Sequence, residues 1–517
     1  MQPGVLLPLV IAAALVGCGT TVPTGGTGVQ SGPAADGLGV AAGAPGGLPA
    51  AGADGLGGAA PRSGIGGGSR VPEDPSGALA PAPSDSRTGR AGETARTGGQ
   101  PGAAGGTIEI GFFLVKNLDV LLGALGAGGS SDSADNDAAR YAQTMVAHIN
   151  ATGGYLGRPV KPVFAYLDAA SSRTFDEQSQ AACSTFFEDH QASAVVLLAT
   201  VWQPLLECSN RERAPLLSYI NQRLGRAILE RGSYFAAPVW IDMERAAGPY
   251  VDIPAGLGFY GGWDTTAGRP GSAPVRVGLL RYDSPDDERF TAALERALRR
   301  RGLSLAAQFA FTPQKSVGDL SRVSSEAQSA VLQFKAARVT HVLSFDDSAS
   351  MTVFFPRSAE NQQYRPRYSL TSDALPAFIA TLVPPEQLRG SIGIGWSPVQ
   401  DVDAAHFPGW RGPTASTCLD VYRKAGYNTG DLATASTAML FCEPMLFLGA
   451  LLRTAGTADA GSVVRVLEPV GRSWSTAITH GVGFPGGRRD GVSRIGAIAY
   501  DESCSCFAYR GAPQSLD

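Results

Sequence analysis

What the sequence lacks narrows its chemistry first. Its five histidines stand at 148, 190, 341, 406 and 480, none paired at metal-ligand spacing, and no HExxH string occurs. There is no GxSxG elbow and no Walker A loop, so hydrolase and P-loop nucleotide chemistry have no motif to rest on. No catalytic residue, cofactor or metal is expected. The net charge is −4, without the basic excess that marks a nucleic-acid partner. Residues 19–106 contain no aromatic side chain and no apolar cluster, and are mostly Gly, Ala, Pro, Ser and Thr. Such a segment cannot bury enough surface to offset the entropy of ordering it, so a disordered linker is expected there. Its glycine string GIGGG (64–68) has no strand before it and no helix after it, which makes it linker rather than phosphate loop.

The apolar run GVLLPLVIAAALV (4–16) is too short to span a bilayer, which takes about 20 residues. It has the length of a signal-peptide core, although no Lys or Arg precedes it. Leu15-Val16-Gly17-Cys18 resembles the bacterial lipobox. The resemblance implies that residues 1–17 are a cleaved leader and that Cys18 is acylated, tethering the chain to a membrane at its extracytoplasmic face. Residues 18–106 would then be the leash of that anchor.

Residues 107–517 are enough for two cores. TIEIGFFLV (107–115) reads as a buried strand and is followed by a glycine- and serine-rich loop. SADNDAARYAQTMVAHINATGG then reads as a helix with Ala138, Ala142, Met145 and Ile149 on one face. RPVKPVFAYLD (158–168) is a strand whose prolines suit an edge. A helix over 173–190, a strand over 193–200, a short helix with Leu205 and Cys208, and a strand over 214–219 complete the series. The alternation restarts at VRVGLLRYD (275–283). The helix over 284–302 has Ser284 as cap, Pro285 in the first turn, acids at its positive end and Arg299 to Arg301 at its negative end. A strand at 304–311, a helix at 319–337 and a strand at 339–345 follow. Strands alternating with helices imply parallel sheets covered on both faces, and two such series imply two lobes of an α/β fold.

Beyond Cys18 six cysteines remain, an even number that suggests disulfides in an exported chain. Cys183 with Cys208, and Cys418 with Cys442, would each join neighbouring helices. Cys504-Ser505-Cys506 is harder: on a strand both thiols share a face, and a bridge between them would strain the backbone. The competing reading of that pair is a metal site, whose only further ligands would be distant histidines.

The string HINATGGYLGRPVKPVFAYLD (148–168) resembles the type I periplasmic solute-binding proteins of the branched-chain amino-acid (Leu/Ile/Val) receptor family of ABC transporters. It matches that family's helix end INAxGG, then xxGRxV, then a strand ending in Asp. The match continues through ERGSYF (230–235) and the restart at 275, and covers about 107–517. It implies two Rossmann-like lobes joined by a hinge, the periplasmic-binding-protein-like I fold. Lobe one would be about 107–237 and 390–470, and lobe two about 238–389 and 471–517.

Open α/β sheets bind ligands beyond the carboxyl ends of their strands. That rule selects Lys116-Asn117, Thr200 to Trp202 and Ser218 to Asn221 from lobe one. From lobe two it selects Tyr282-Asp283 with Asp286, Ser344 to Asp347, and Ser372-Asp373. Candidate ligand contacts are therefore Thr200, Trp202, Ser218, Asn221, Tyr282, Asp346 and Asp373. By the resemblance, Thr200 would hold an α-carboxylate and Asp373 an α-ammonium. The family's glycine is missing before Thr200, Trp202 follows it, and Asp286 stands where an aromatic is usual. Asp346 has a second reading, as cap of the helix after it. The implied function is capture of a small molecule, an amino acid or related compound, by hinge closure and its delivery to an ABC permease. A ligand sensor without a permease and a surface scaffold without a ligand are the alternatives.

Overall fold

A computed structural model describes residues 106–127, 134–220, 225–346 and 349–516. The leader, Cys18, nearly all of the leash, Asn221 and Asp347 lie outside these residues. The apolar run after the leash becomes the strand Ile108–Lys116, buried along nearly its whole length. It is sandwiched between Val160–Asp168 and Ala194–Leu197, and Leu216–Ser218 and Phe235–Ala236 extend the sheet. All of these pairings are parallel. The proline-bearing strand Val160–Asp168 sits at the edge, where a missing N–H costs no ladder bond.

The second sheet is also parallel, in the order Arg367–Ser369, His341–Ser344, Val277–Tyr282, Leu305–Phe311. Its best-formed helix is Pro285–Arg300, where the Ser284 hydroxyl accepts from the Asp287 amide at 3.2 Å. Phe290, Leu294, Ala297 and Leu298 form its buried stripe. Ile392–Gly395, expected in lobe one, instead pairs antiparallel with Arg494–Asp501, which pairs with Cys506–Ser515. A parallel bridge from Thr371 to Ile394 attaches this trio to the second sheet. In the other direction Asp490, expected in lobe two, bridges to Ala237 at the end of the first.

Helix Leu432–Ala455 is long and apolar enough to cross a membrane, and 89% of its apolar window is buried inside the fold. It packs with Gly412–Lys424 against Ala134–Ala151 and supplies much of the first lobe's core. Two disulfides staple this lobe as expected: Cys183–Cys208 joins Phe175–Cys183 to Gln203–Glu212, and Cys418–Cys442 joins Gly412–Lys424 to Leu432–Ala455. Cys504 and Cys506, whose state the sequence left open between a short bridge and a metal site, are also bonded to each other. The single intervening residue, Ser505, takes φ 54°, a left-handed turn that brings the two thiols together.

Three chain segments cross between the lobes side by side. The Val492 amide donates to the Trp240 carbonyl at 3.2 Å, and the His480 amide to the Trp396 carbonyl at 3.0 Å. Between them lies a buried ionic cluster. Arg245 approaches Asp490 at 2.6 Å and Nε donates to the same carboxylate at 2.8 Å. Asp242 accepts from the Glu244 amide at 2.7 Å, and burial, with Asp490 beside it, pushes its carboxyl up to about 6.

Candidate functional site

In each sheet the strand order reverses beside the first strand of its series, and the carboxyl ends at those two points face one cleft. The cleft holds a cavity of about 360 Å³. Thr200, Val201 and Trp202 line it from the first sheet, and Tyr282, Ser284 and Gln314 from the second. The rest of its wall is mostly apolar: Leu118, Leu121, Leu125, Leu167, Phe175, Leu206, Ile220, Ile228, Met243 and Leu375.

Much of that character comes from a helix where a loop was expected. After the first strand, Asn117 turns through φ 54° and Leu118–Leu125 forms a helix. Leu118, Leu122 and Leu125 recur at helical spacing and are buried in the core of the second lobe. The Arg357 guanidinium donates to the Leu125 carbonyl at 2.8 Å and fixes the helix there. A segment that leaves lobe one thus crosses the cleft and seats itself on lobe two. The signal was present in the leucine spacing of LDVLLGAL, next to the glycines and serines that made the whole stretch read as a loop.

Of the seven predicted contacts, Thr200, Trp202 and Tyr282 come together on the cavity wall. Trp202 stacks on Phe175 with ring centroids 4.8 Å apart, and its buried indole N–H has no acceptor among the described residues. Ser218 is fully buried at the end of its strand, and Ile220, not Ser218, reaches the cavity. Asp346 is fully buried and accepts from the Thr352 amide at 3.0 Å, so the cap reading describes its geometry. Asp373 is buried in the turn Ser372–Ala374, and Leu375 beyond it lines the cavity in its place. Asn221 lies outside the described residues. Asn117 turns to Asp168, donating at 2.6 Å.

The polar atoms of the wall are largely engaged with the protein. Gln314 Nε2 donates to Ser350 Oγ at 2.8 Å, and the Tyr282 hydroxyl shares a hydrogen bond with that Oγ at 3.0 Å. Among the described residues Arg231 is the basic residue of the lining, and it donates to Gln203 at 3.0 Å. Asp286 is the acid of the lining among the described residues, and it accepts from the Ala227 amide at 3.0 Å.

That last bond joins the lobes, because Ala227 belongs to the lobe-one helix Arg226–Arg231 and Asp286 to lobe two. A second joins them where the Phe175 amide donates to the Lys315 carbonyl at 2.8 Å. Gly225 makes the first contact possible: a Cβ there would lie 2.1 Å from the Asp286 carboxyl carbon. Neither Gly225 nor the Lys315 carbonyl is marked by any local pattern in the sequence, since both depend on how the lobes meet.

No protein-family model matches the chain, and no curated protein does. Solved structures do share its fold. A substrate-binding protein of an ABC transporter from Desulfitobacterium hafniense, in complex with Leu, is 13% identical with a TM-score of 0.51, over 78% of this chain and 100% of that one. A solute-binding protein from R. palustris in complex with 4-hydroxybenzoate is 11% identical with a TM-score of 0.54, over 79% and 97%. An ABC transporter substrate-binding protein from Aeropyrum pernix is 12% identical with a TM-score of 0.55, over 80% and 96%. The α/β architecture with its two parallel sheets is therefore that of the type I periplasmic binding proteins.

Proposed function

We propose that the chain is a solute-binding receptor, lipid-anchored through Cys18 at the extracytoplasmic face of a membrane. It captures a small molecule between its lobes and presents it to the permease of an ABC importer. The observation that carries this reading is the cavity itself: about 360 Å³ at the carboxyl ends of both sheets, with hydrogen bonds from lobe to lobe at its mouth. Closure follows if a ligand touching both walls favours the joined arrangement over the open one.

The wall also supports a ligand class. An α-amino acid needs a carboxylate for its ammonium, and the acid of the lining among the described residues, Asp286, is held by the Ala227 amide. Asp373 does not line the cavity. Against that, nine leucine, isoleucine and methionine side chains, with Phe175 and Trp202, offer apolar contact, at about 0.8 kcal/mol for each CH₂ they bury. Arg231 and the indole N–H of Trp202 are suited to one carboxylate or carbonyl. The ligand we infer, within the expected class of an amino acid or related compound, is an aromatic or branched aliphatic carboxylic acid. The 4-hydroxybenzoate found with one structural neighbour belongs to that class.

The test is the melting temperature of ligand-stripped protein with 4-hydroxybenzoate, phenylacetate and 4-methylpentanoate, each paired with tyrosine, phenylalanine or leucine. The acids are expected to stabilise and their amino counterparts to do so less. The reverse order restores the amino-acid ligand, and no shift with any compound removes the receptor reading. For the anchor, Cys18→Ala is expected to move the protein from the membrane fraction to the soluble one.

A further inference from the structure

We propose that Cys504–Cys506 is a thiol–disulfide exchange site served by His406, independent of the cleft. The three disulfides differ in what they do for the fold. Cys183–Cys208 and Cys418–Cys442 close sequence separations of 25 and 24 and are buried. Cys504–Cys506 closes a separation of 2. A crosslink constrains the unfolded chain in proportion to the logarithm of the loop it closes, so this one contributes least to stability. It also holds Ser505 in a left-handed conformation that a residue with a Cβ disfavours.

Its surroundings are those of a reacting bond. Cys504 is exposed at the tip of the hairpin, whereas Cys506 is buried. His406 Nδ1 lies 3.4 Å from Cys506 Sγ and 2.7 Å from the Asp403 carboxylate. None of these four residues lines the cavity, and the proposed capture of a solute uses none of them.

An external thiolate reaches Cys504 Sγ, bonds to it and expels Cys506 as a thiolate. The His406 Nδ1–H, which faces both the Asp403 carboxylate and that leaving sulfur, shifts its hydrogen bond to the sulfur as the thiolate charge develops. A second thiolate then attacks the external sulfur of the mixed disulfide and expels Cys504. The two external thiolates end as one disulfide, and their two electrons reside in the Cys504 and Cys506 thiolates, which take up protons from water. The reaction partner is a dithiol or a pair of small thiols, and the same steps in reverse oxidise one.

The experiment exposes the intact folded protein to limiting dithiothreitol or to glutathione, alkylates at intervals and maps the labelled peptides. Cys504 and Cys506 are expected to label first with both reductants, at least about tenfold faster than the two buried pairs. His406→Ala is expected to slow that labelling at least about tenfold, as the loss of one hydrogen bond to a charged sulfur would. Its urea midpoint, which should not move, separates this from a loss of structure. Cys506→Ser is expected to accumulate a mixed disulfide with oxidised glutathione at Cys504, and Cys504→Ser far less at Cys506. Three results would each overturn the proposal: reduction no faster than at the buried pairs, a rate indifferent to His406, or Cys504 and Cys506 already free in the untreated protein.

Discussion

Arg245 and Asp401 lie beside the segments that cross between the lobes. The Asp490 carboxylate is almost fully buried, and its charge is tolerated because Arg245 lies against it. Arg245→Ala leaves a buried carboxylate without its partner, a change that costs about 3–5 kcal/mol. The urea midpoint should fall accordingly, while Arg299→Ala, at an exposed ion pair, should cost under about 1 kcal/mol. Asp401 is fully buried after the strand Ile392–Gly395, where it accepts from Tyr509 and from the Ser397 amide. Burial pushes its carboxyl up to about 7. A carboxyl whose folded value is raised takes up a proton on folding, so its stabilising contribution is full below about pH 4 and lost as pH rises to about 7. Asp242 acts in the same sense up to about 6. His341 and His480, both pushed down to about 4 by burial, act in the opposite sense and lose their contribution as pH falls from 6.5. Comparison with Asp401→Asn isolates one term: the margin of wild type over the variant should shrink between pH 5 and pH 8. A constant margin would mean that Asp401 keeps the same proton in the folded and unfolded chain.

Among the elements, Leu118–Leu125 decides what the cleft accepts. Leu121 is part-buried and lines the cavity, whereas Leu122 is locked into lobe two. Leu121→Glu puts a charge on the apolar wall with little loss of core. It should weaken binding of an apolar acid at least about tenfold, or about 1.4 kcal/mol, by calorimetric titration. The melting temperature of the free protein should change little. This helix also marks where the sequence stopped being legible. Most strands of both sheets and the helix Pro285–Arg300 could be read because each carries its own period, cap or run of β-branched residues, whereas Phe235–Ala236 and Arg367–Ser369 are too short to carry one. The two long-separation disulfides followed from the helices that carry them. Leu118–Leu125 has only two turns, and its leucines gain meaning from a surface on the other lobe. Likewise Thr200, Trp202 and Tyr282 lie where the strand-end rule puts them, while Ser218 and Asp346 obey the same rule and are buried short of the cavity. The rule places strand ends, but which way a side chain faces is settled by packing from elsewhere in the chain.

At the scale of the whole molecule the account turns on closure. Gly225→Ala sets a methyl group against Asp286, so it should hold the lobes apart and raise the dissociation constant of a ligand without touching the cavity wall. Closure itself can be read at two amides. Phe175 opens its helix and Ala227 lies in the first turn of its own, so neither amide has a partner within its helix. Each is satisfied instead across the cleft, by the Lys315 carbonyl and the Asp286 carboxylate. The measurement that tests the account most directly is hydrogen exchange at these two amides, with and without saturating 4-hydroxybenzoate or whichever acid of the panel stabilises most. The account predicts slower exchange at both when ligand is bound. Unchanged exchange at both, with ligand demonstrably bound, would contradict it, since the molecule would then hold a solute without closing on it.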